Sequence, residues 1–222
     1  MKQNQEYKNE ALAALRGNWA PAVLATLVYY LLTLFLISPY EVAVFRTNSA
    51  DIMGLMAASR WYGVFFLGMI LVIGPFLVGY VNSFKKLLVE GDDRITANSF
   101  REGFKPYWRS VWAYLFRGIL ITLWSLLLVI PGIIKSLSYA MTMYIVKDHP
   151  ELTVNEAIDM SKDMMYGHKY DLFYLYISFI GWYLLSILTL GIGTFWLMPY
   201  IETAQASFYE DVKAEWELKS VG

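Results

Sequence analysis

Cysteine is absent from the 222-residue chain, and histidine occurs only twice. The lack of cysteine excludes disulfide bonds, thiol nucleophiles and cysteine-ligated metal sites. His149 and His168 lie near several carboxylates, but their spacing does not match HExxH or a similar metal-binding pattern. We therefore expect both histidines to be solvated, and we expect no metal site.

Charged residues are scarce as well: Asp, Glu, Lys and Arg make up 17% of the chain, and the formal net charge is -1. Hydrophobic residues make up 57% and aromatic residues 17%, which exceeds the usual balance of a soluble globular protein. The small net charge gives no overall attraction to nucleic acid. The sequence also lacks a phosphate-binding glycine loop and a GxSxG nucleophile motif. This composition predicts a membrane protein with no cofactor, no catalytic residues and no nucleic-acid partner.

The longest apolar stretch covers residues 111–146 and carries only two charges. Its first part, 111–130, would form a helix of about 30 Å, which matches the hydrocarbon thickness of a bilayer. Pro131-Gly132 follows, and this pair favours a turn. The sequence therefore predicts a helical hairpin buried in lipid, with 133–146 as its second arm.

Four further apolar segments have the character of membrane spans, namely residues 20–37, 61–90, 172–190 and 194–209. Residues 61–90 would be about 45 Å long as a helix and contain Gly74-Pro75, so they form either one kinked span or a short re-entrant piece followed by a helix. We favour the kinked span. Residues 38–59 are expected to form a polar loop, and Gly191-Ile192-Gly193 a tight turn. The predicted fold class is an all-α membrane protein with about six transmembrane helices, arranged as three helical hairpins.

Each hairpin is preceded by a polar segment whose apolar residues have helical spacing, which predicts three cytoplasmic amphipathic helices on the membrane surface. These segments are residues 1–19, 91–110 and 147–171. In the first, the membrane-facing residues would be Tyr7, Ala11, Leu12, Leu15 and Trp19. In the second, Thr96 is placed to cap the helix, and the residues that face lipid would be Phe100, Phe104 and Trp108. In the third, Thr153 and Glu156 form a capping box.

The distribution of positive charge predicts the orientation. Of the 18 Lys and Arg residues, 14 lie in the N-terminal tail, in residues 85–110, in residues 147–171 and in the C-terminal tail. Positively charged connectors remain on the cytoplasmic side of a membrane. We therefore expect a multi-pass protein of the cytoplasmic membrane with both termini in the cytoplasm.

The chain is predicted to form a single polytopic domain, 1–222, with a weak threefold repeat. The units would be residues 1–90, 91–147 and 148–222. Each contains an amphipathic helix, a turn before an aromatic residue, a span, a break with glycine and a second span. The alternative is that helical hairpins in general show Gly and Tyr at such places.

The C-terminal half contains several specific motifs, among them Ile130-Pro131-Gly132-Ile133-Ile134-Lys135, Ser138-Tyr139-Ala140-Met141, Gly167-His168-Lys169, Thr189-Leu190-Gly191-Ile192-Gly193 and Phe208-Tyr209-Glu210-Asp211. With these motifs the chain resembles a bacterial family of integral membrane proteins called domain of unknown function 975. The N-terminal half matches that family more in architecture than in motif. The resemblance implies a multi-pass protein of the bacterial cytoplasmic membrane, and it implies no particular activity.

Outside the basic region 85–110, three charged residues lie within the predicted spans: Arg117, Lys135 and Glu202. Burying a charge in a membrane costs at least a few kcal/mol, and such residues usually face the bundle interior or water. One hypothesis is that Glu202 pairs with Arg117 or Lys135 in a polar pocket for a substrate, a proton or a lipid headgroup. The alternative is that Lys135 snorkels, Arg117 reaches cytoplasmic phosphates and Glu202 holds helices together.

A second candidate site consists of basic residues near the predicted membrane surface, several of them interleaved with aromatic residues. The candidate lipid-headgroup contacts are Lys85, Lys86, Arg94, Arg101, Lys105, Arg109, His168 and Lys169. Nucleic-acid binding would also use basic and aromatic side chains, but a belt of this composition beside membrane spans is typical of contact with anionic lipid.

These features predict a non-enzymatic membrane protein that interacts with membrane lipids, with another membrane protein or with a second copy of itself. The alternative is a small transporter in which helices broken at glycine surround Glu202 as the coupling carboxylate. An enzyme that acts on a lipid is a third hypothesis, for which no catalytic constellation is visible. A transporter requires a water-accessible cavity that reaches Glu202, whereas an interaction protein can have a fully packed interior.

Overall fold

A computed structural model describes residues 1–46 and 52–221 of the chain, and the regular structure in these two ranges is entirely helical. The α-helices are α1 Asn4–Leu15, α2 Trp19–Arg46, α3 Ile52–Gly68, α4 Gly74–Glu90, α5 Ile95–Phe104, α6 Tyr107–Leu127, α7 Val129–Ser138, α8 Thr142–Asp148, α9 Val154–Met164, α10 Lys169–Ile177, α11 Ile180–Leu188 and α12 Thr194–Val221. The predicted all-α class is confirmed.

Five helical segments of the described chain are long and apolar enough to cross a membrane. They are Trp19–Leu36, Ser59–Glu90, Tyr107–Leu127, Val129–Asp148 and Lys169–Leu188. The predicted sixth span, 194–209, forms the first part of α12 and is not among these five segments. Length and composition therefore support a membrane protein with five candidate spans, and the sixth span stays a prediction.

The core lies where α1, α4, α8 and α12 meet. The ring of Tyr144 in α8 stacks on that of Tyr209 in α12, with the ring centroids 4.7 Å apart. Tyr7 of α1 lies edge-on to Phe208 at 5.4 Å. All four rings are at most 1% exposed, and burying one large apolar side chain stabilises a fold by roughly 1.5–3 kcal/mol. This cluster joins the two ends of the chain.

The predicted polar loop at residues 38–59 is wrong wherever the structure describes it. Helix α2 continues to Arg46, and α3 begins at Ile52; residues 47–51 lie outside the described part of the chain. The loop prediction relied on three scattered charges. The residues between those charges are mostly apolar or small, and such residues extend a helix as readily as they end one.

Residues 61–90 belong to one uninterrupted helical segment, which agrees with the kinked-span alternative. A π-helical turn, Met69–Ile73, comes directly before Gly74 and Pro75. Proline has no N–H, so the carbonyl four residues earlier loses its usual donor. That carbonyl belongs to Leu71, and the hydroxyl of Tyr107 donates a hydrogen bond to it at 3.0 Å. The hydroxyl of Tyr107, the first residue of α6, therefore replaces the N–H donor that Pro75 lacks.

Helix α5 packs directly on α4 along one face. A Cβ atom added at Gly79 would lie 1.9 Å from the carbonyl oxygen of Ser99, and one added at Gly103 would lie 1.7 Å from that of Pro75. The two backbones therefore touch because both positions are glycine. Such close approach is the usual reason for paired small residues between membrane helices.

One expectation for α5 is corrected, and the predicted lipid-facing side chains have different surroundings. Phe100 lies edge-on to Phe76 with 4.9 Å between ring centroids but is still 41% exposed, and Trp108 is 74% exposed. Phe104 is partly buried against the core. Thr96 does not cap the helix, because its hydroxyl donates to the carbonyl of Pro21 at 3.2 Å.

The predicted hairpin at 111–146 turns earlier than expected. Leu128 has extended backbone angles, φ -161° and ψ 146°, and separates α6 from α7. Pro131 lies in the first turn of α7, where a missing N–H costs nothing. A Cβ atom added at Gly132 would lie 2.3 Å from the Oγ of Ser125, so this glycine lets α7 pack closely on α6.

The local signals in α1, α9 and the last turn have different outcomes. The capping box is confirmed: Thr153 N–H donates to Glu156 at 2.7 Å, and Glu156 N–H donates to Thr153 at 3.3 Å. The turn before α12 is also present, with Gly191 at φ 88°.

The prediction that the apolar face of α1 lies on the membrane is wrong for Tyr7 and its neighbours on that face, which are buried against protein. These buried residues are Tyr7, Ala11 and Leu15.

Candidate functional site

Arg117 lies at the middle of α6. Its Nε donates a hydrogen bond to the carbonyl oxygen of Tyr139 at 2.9 Å, just after the end of α7. Its terminal amino groups have no hydrogen-bond partner among the described residues. The guanidinium group is therefore anchored on one side and retains donors on the other.

Glu202 of α12 lies close enough to Arg117 for an electrostatic interaction, but the two charges do not form an ion pair within 4.0 Å. The Oε2 atom of Glu202 is shielded from solvent and has no hydrogen-bond partner in the described structure. Lys135 is not part of this site: its Nζ lies 4.5 Å from the centre of the Trp124 ring. The structure thus brings together two of the three predicted residues.

Tyrosines surround Glu202, and the sequence analysis did not single them out. Tyr144 and Tyr176 each interact electrostatically with both Arg117 and Glu202. Tyr176 donates to the Oε1 of Gln205 at 2.8 Å, whereas the buried hydroxyl of Tyr144 has no partner among the described residues. A buried polar atom without a partner costs about 1–3 kcal/mol. The unpartnered oxygens of Tyr144 and Glu202 therefore each favour a proton, a water molecule or another small polar group as a partner.

A groove of about 460 Å³ opens beside Arg117. It lies between α6 on one side and α3 with the following π-helical turn on the other. Its lining residues are Phe66, Ile70, Tyr114, Leu115, Arg117, Gly118, Ile119, Thr122 and Leu123. Gly118 is exposed, and a Cβ atom added there would meet no other atom within 4 Å. The groove is thus apolar with one charged residue, and glycine keeps its middle open. We call it the Arg117 groove.

The candidate headgroup residues fall into two groups. Five of them contact protein partners. Lys85 pairs with Asp148, Lys86 with Glu102 at 3.0 Å, and Arg94 with Asp92 at 3.0 Å. Arg109 donates to the carbonyl oxygens of His149 and Pro150, and His168 lies 3.2 Å from Glu215. The side chains of the other three, Arg101, Lys105 and Lys169, have no hydrogen bond or ion pair within the described ranges.

The paired cations form ion pairs with acidic residues. The sequence analysis did not predict these acidic residues as partners. Asp148 accepts from Lys85, from Lys213 at 2.8 Å and from the hydroxyl of Tyr209 at 2.8 Å. Glu102 lies between two lysines, Lys86 and Lys147. Burial alone would raise the pKa of Glu102, but the hydrogen bonds from its two lysine partners outweigh this effect and lower it. The sequence signal for the pairs within residues 85–110 is the presence of four acidic residues in this basic run, Glu90, Asp92, Asp93 and Glu102.

The polar segments of the chain contact one another at one end of the bundle. The backbone N–H of Lys2 donates to Asp211 at 2.8 Å, and the hydroxyl of Tyr7 donates to the same carboxylate at 2.6 Å. Asp148 joins the ends of α4 and α8 to the second half of α12. The N-terminal helix and the C-terminal helix therefore meet at the end of the bundle that carries the basic residues.

A basic cleft of about 420 Å³ lies at the same end, where α6 starts and α8 ends. It is lined by Lys105, Pro106, Arg109, Val146, Lys147 and Pro150. Three of the six residues are cations, and none is acidic. The side chain of Lys105 has no partner in the described structure, so the basic cleft offers a donor that the protein itself does not use.

Comparison with known proteins gives one match. No curated protein and no solved structure matches the chain. Residues 126–216 match the model of a family described as "Protein of unknown function (DUF975)", and this range runs from the end of α6 into the second half of α12. The resemblance noted in the sequence is thereby confirmed for residues 126–216, which match the model of that family.

Proposed function

We propose that this is a multi-pass protein of the bacterial cytoplasmic membrane with both termini in the cytoplasm. The bias of Lys and Arg toward four connecting segments supports this orientation. The contacts of Asp211 with Lys2 and Tyr7 support it further, because they place the two ends of the chain on one side of the bundle.

We further propose that the protein is not an enzyme and that its cytoplasmic end interacts with anionic lipid headgroups. A membrane-protein partner or a second copy is an additional expected ligand of that end. The observation that carries this proposal is the basic cleft. Lys105 is unpaired there, and the adjacent Trp108 is 74% exposed. Cationic and indole side chains side by side are typical anchors at the headgroup level.

The orientation can be tested with single cysteines, since the natural sequence has none to give background labelling. Lys105→Cys is expected to react with a membrane-impermeant maleimide only after cells are permeabilised. Leu190→Cys, in the turn before α12 and 95% exposed, is expected to react in intact cells. Labelling of Lys105→Cys in intact cells would overturn the orientation.

The headgroup interaction can be tested by native mass spectrometry with phosphatidylglycerol and phosphatidylcholine. Near a membrane surface one basic residue contributes about 1 kcal/mol to anionic lipid binding, or about fivefold in affinity. Lys105→Gln is expected to lower the preference for phosphatidylglycerol by about this factor. Lys219→Gln removes the same charge from an exposed lysine that is already paired with Glu215, and it serves as the control. Equal lipid preference in the wild type would refute the proposal.

The buried, unpartnered Oε2 of Glu202 favours a second candidate function, a small transporter with this carboxylate as its coupling group. The test uses purified protein in vesicles that contain a pH-sensitive dye, under an imposed membrane potential. Proton entry that is present in the wild type and lost in a correctly assembled Glu202→Gln variant would support transport. Equal proton entry in both proteins would exclude this role.

A further inference from the structure

We infer that the Arg117 groove binds the carboxylate of a single-chain fatty acid. This inference deepens the proposed lipid interaction and rests on the chain being a lipid-exposed membrane protein. It concerns a groove on the apolar surface of the bundle, about 15 Å along α6 from the first residue of that helix, and thus differs from the basic cleft.

The shape of the groove suits one hydrocarbon chain. Its wall on α6 is a stripe at helical spacing that runs from Leu115 to Leu123, a length of about 12 Å. Phe66 and Ile70 form the facing side. Its volume of about 460 Å³ falls within the range of about 300–1,000 Å³ that is usual for small-molecule sites. Gly118 leaves the middle of the stripe free of side-chain atoms.

The charge in the groove favours an anionic ligand. Arg117 is the single charged residue in the lining, and its terminal amino groups have no partner among the described residues. The hydrogen bond from its Nε to Tyr139 holds the guanidinium group in place before a ligand arrives. A guanidinium group binds a carboxylate through two parallel hydrogen bonds, and such charge-assisted bonds are the stronger ones in proteins.

The depth of Arg117 selects the kind of lipid. A phospholipid would have to bring its headgroup, glycerol and a second chain to the middle of α6, where few polar groups replace their hydration. A fatty acid brings only a carboxylate at the end of one chain. The ligand class that fits both the charge and the depth is therefore a long-chain carboxylic acid.

The test compares palmitic acid with hexadecanol, which has the same chain length and no charge. Native mass spectrometry of the purified protein measures both, with dipalmitoyl phosphatidylglycerol as a third probe. The wild type is expected to bind one palmitate about tenfold to a hundredfold more tightly than hexadecanol, the factor for a charge-assisted hydrogen-bonded pair. Arg117→Gln is expected to remove this preference, and Arg117→Lys to restore part of it.

Two glycine variants separate occupation of the groove from loss of structure. Gly118→Phe places its Cβ atom in open space and adds a ring to the lining of the groove, and it is expected to abolish binding of palmitate and hexadecanol. Gly181→Phe places the same ring at an equally open position on α11 and is expected to bind like the wild type.

Three results would overturn the inference: equal affinity for acid and alcohol in the wild type, undiminished palmitate binding in Arg117→Gln, or undiminished binding in Gly118→Phe. Retention of phosphatidylglycerol without any palmitate would refute this inference and leave the proposed headgroup interaction standing. Retention of no lipid at all would refute both.

Discussion

Replacing Gly103 by alanine tests the contact between α4 and α5 most directly. The added Cβ would lie 1.7 Å from the carbonyl oxygen of Pro75, 2.7 Å from its carbonyl carbon and 2.8 Å from the backbone nitrogen of Gly79. These are backbone atoms, so no side chain can rotate away. The two helices must separate by more than 1 Å to restore ordinary contact distances of about 3.5–4.0 Å.

The size of the effect follows from two opposing contributions. Overpacking of a tight contact costs typically about 1–3 kcal/mol. Replacing glycine by alanine inside a helix contributes about 0.5–1 kcal/mol in the opposite direction. Because the clash involves two rigid backbones, we expect Gly103→Ala to be at the upper end of overpacking, with a net loss of about 2 kcal/mol. Gly118→Ala meets no atom within 4 Å and is expected to gain about 0.5–1 kcal/mol.

The measurement is thermal unfolding of both variants in the same detergent, followed by far-ultraviolet circular dichroism. The same chemical change should shift the unfolding midpoint downward at Gly103 and upward at Gly118. A Gly103→Ala protein as stable as the wild type would show that α5 does not touch α4 in this way. Destabilisation of similar size at both sites would mean that the effect comes from glycine in a helix generally, and not from the contact.

Three further perturbations have directions that follow from the structure. Glu102→Gln removes the acid between two lysines and should cost about 1–2 kcal/mol at neutral pH in the unfolding assay, less than a fully buried pair because the lysines are partly exposed. Since the folded-state pKa of Glu102 is lowered, this stability is present above the unfolded-state pKa of about 4.3 and is lost as the pH falls through the folded-state value. Tyr7→Phe deletes the hydrogen bond to Asp211 and should cost about 1 kcal/mol in the same assay. Glu202→Gln removes a negative charge near Arg117 and should tighten palmitate binding in the mass spectrometric assay.

Each of these expectations has a result that contradicts it. A stability difference between wild type and Glu102→Gln that grows below about pH 4 would mean that the two lysines do not stabilise the ionised acid. A Tyr7→Phe protein with unchanged stability would exclude a stabilising role of the Asp211 contact. Weaker palmitate binding in Glu202→Gln would place Glu202 among the groups that hold the ligand.

Features carried by short stretches of sequence were predicted correctly. The apolar run at 111–130 became α6, the Thr153 capping box formed, and the glycine turn before α12 has the expected left-handed backbone at Gly191. Hydropathy, a cap and a positive φ depend on neighbours within a few residues along the chain. Gly17 and Gly167, at corresponding places in the first and third proposed repeats, also share φ values of 87° and 89°, although the repeat itself stays a prediction.

The contacts between distant segments were decided by tertiary structure alone. The apolar face of α1 could be buried equally well in a membrane surface or against protein. Only the position of α12 in the fold shows that it packs against protein. Whether a lysine near the membrane binds lipid or an acid depends on a partner such as Asp148, which is 63 residues from Lys85 along the chain. Composition and periodicity determine that a side chain needs an apolar or oppositely charged neighbour, because both preferences are local. Which neighbour a side chain contacts depends on how the helices pack. Packing brings together residues that are far apart along the chain, and their distance in sequence does not indicate their distance in space.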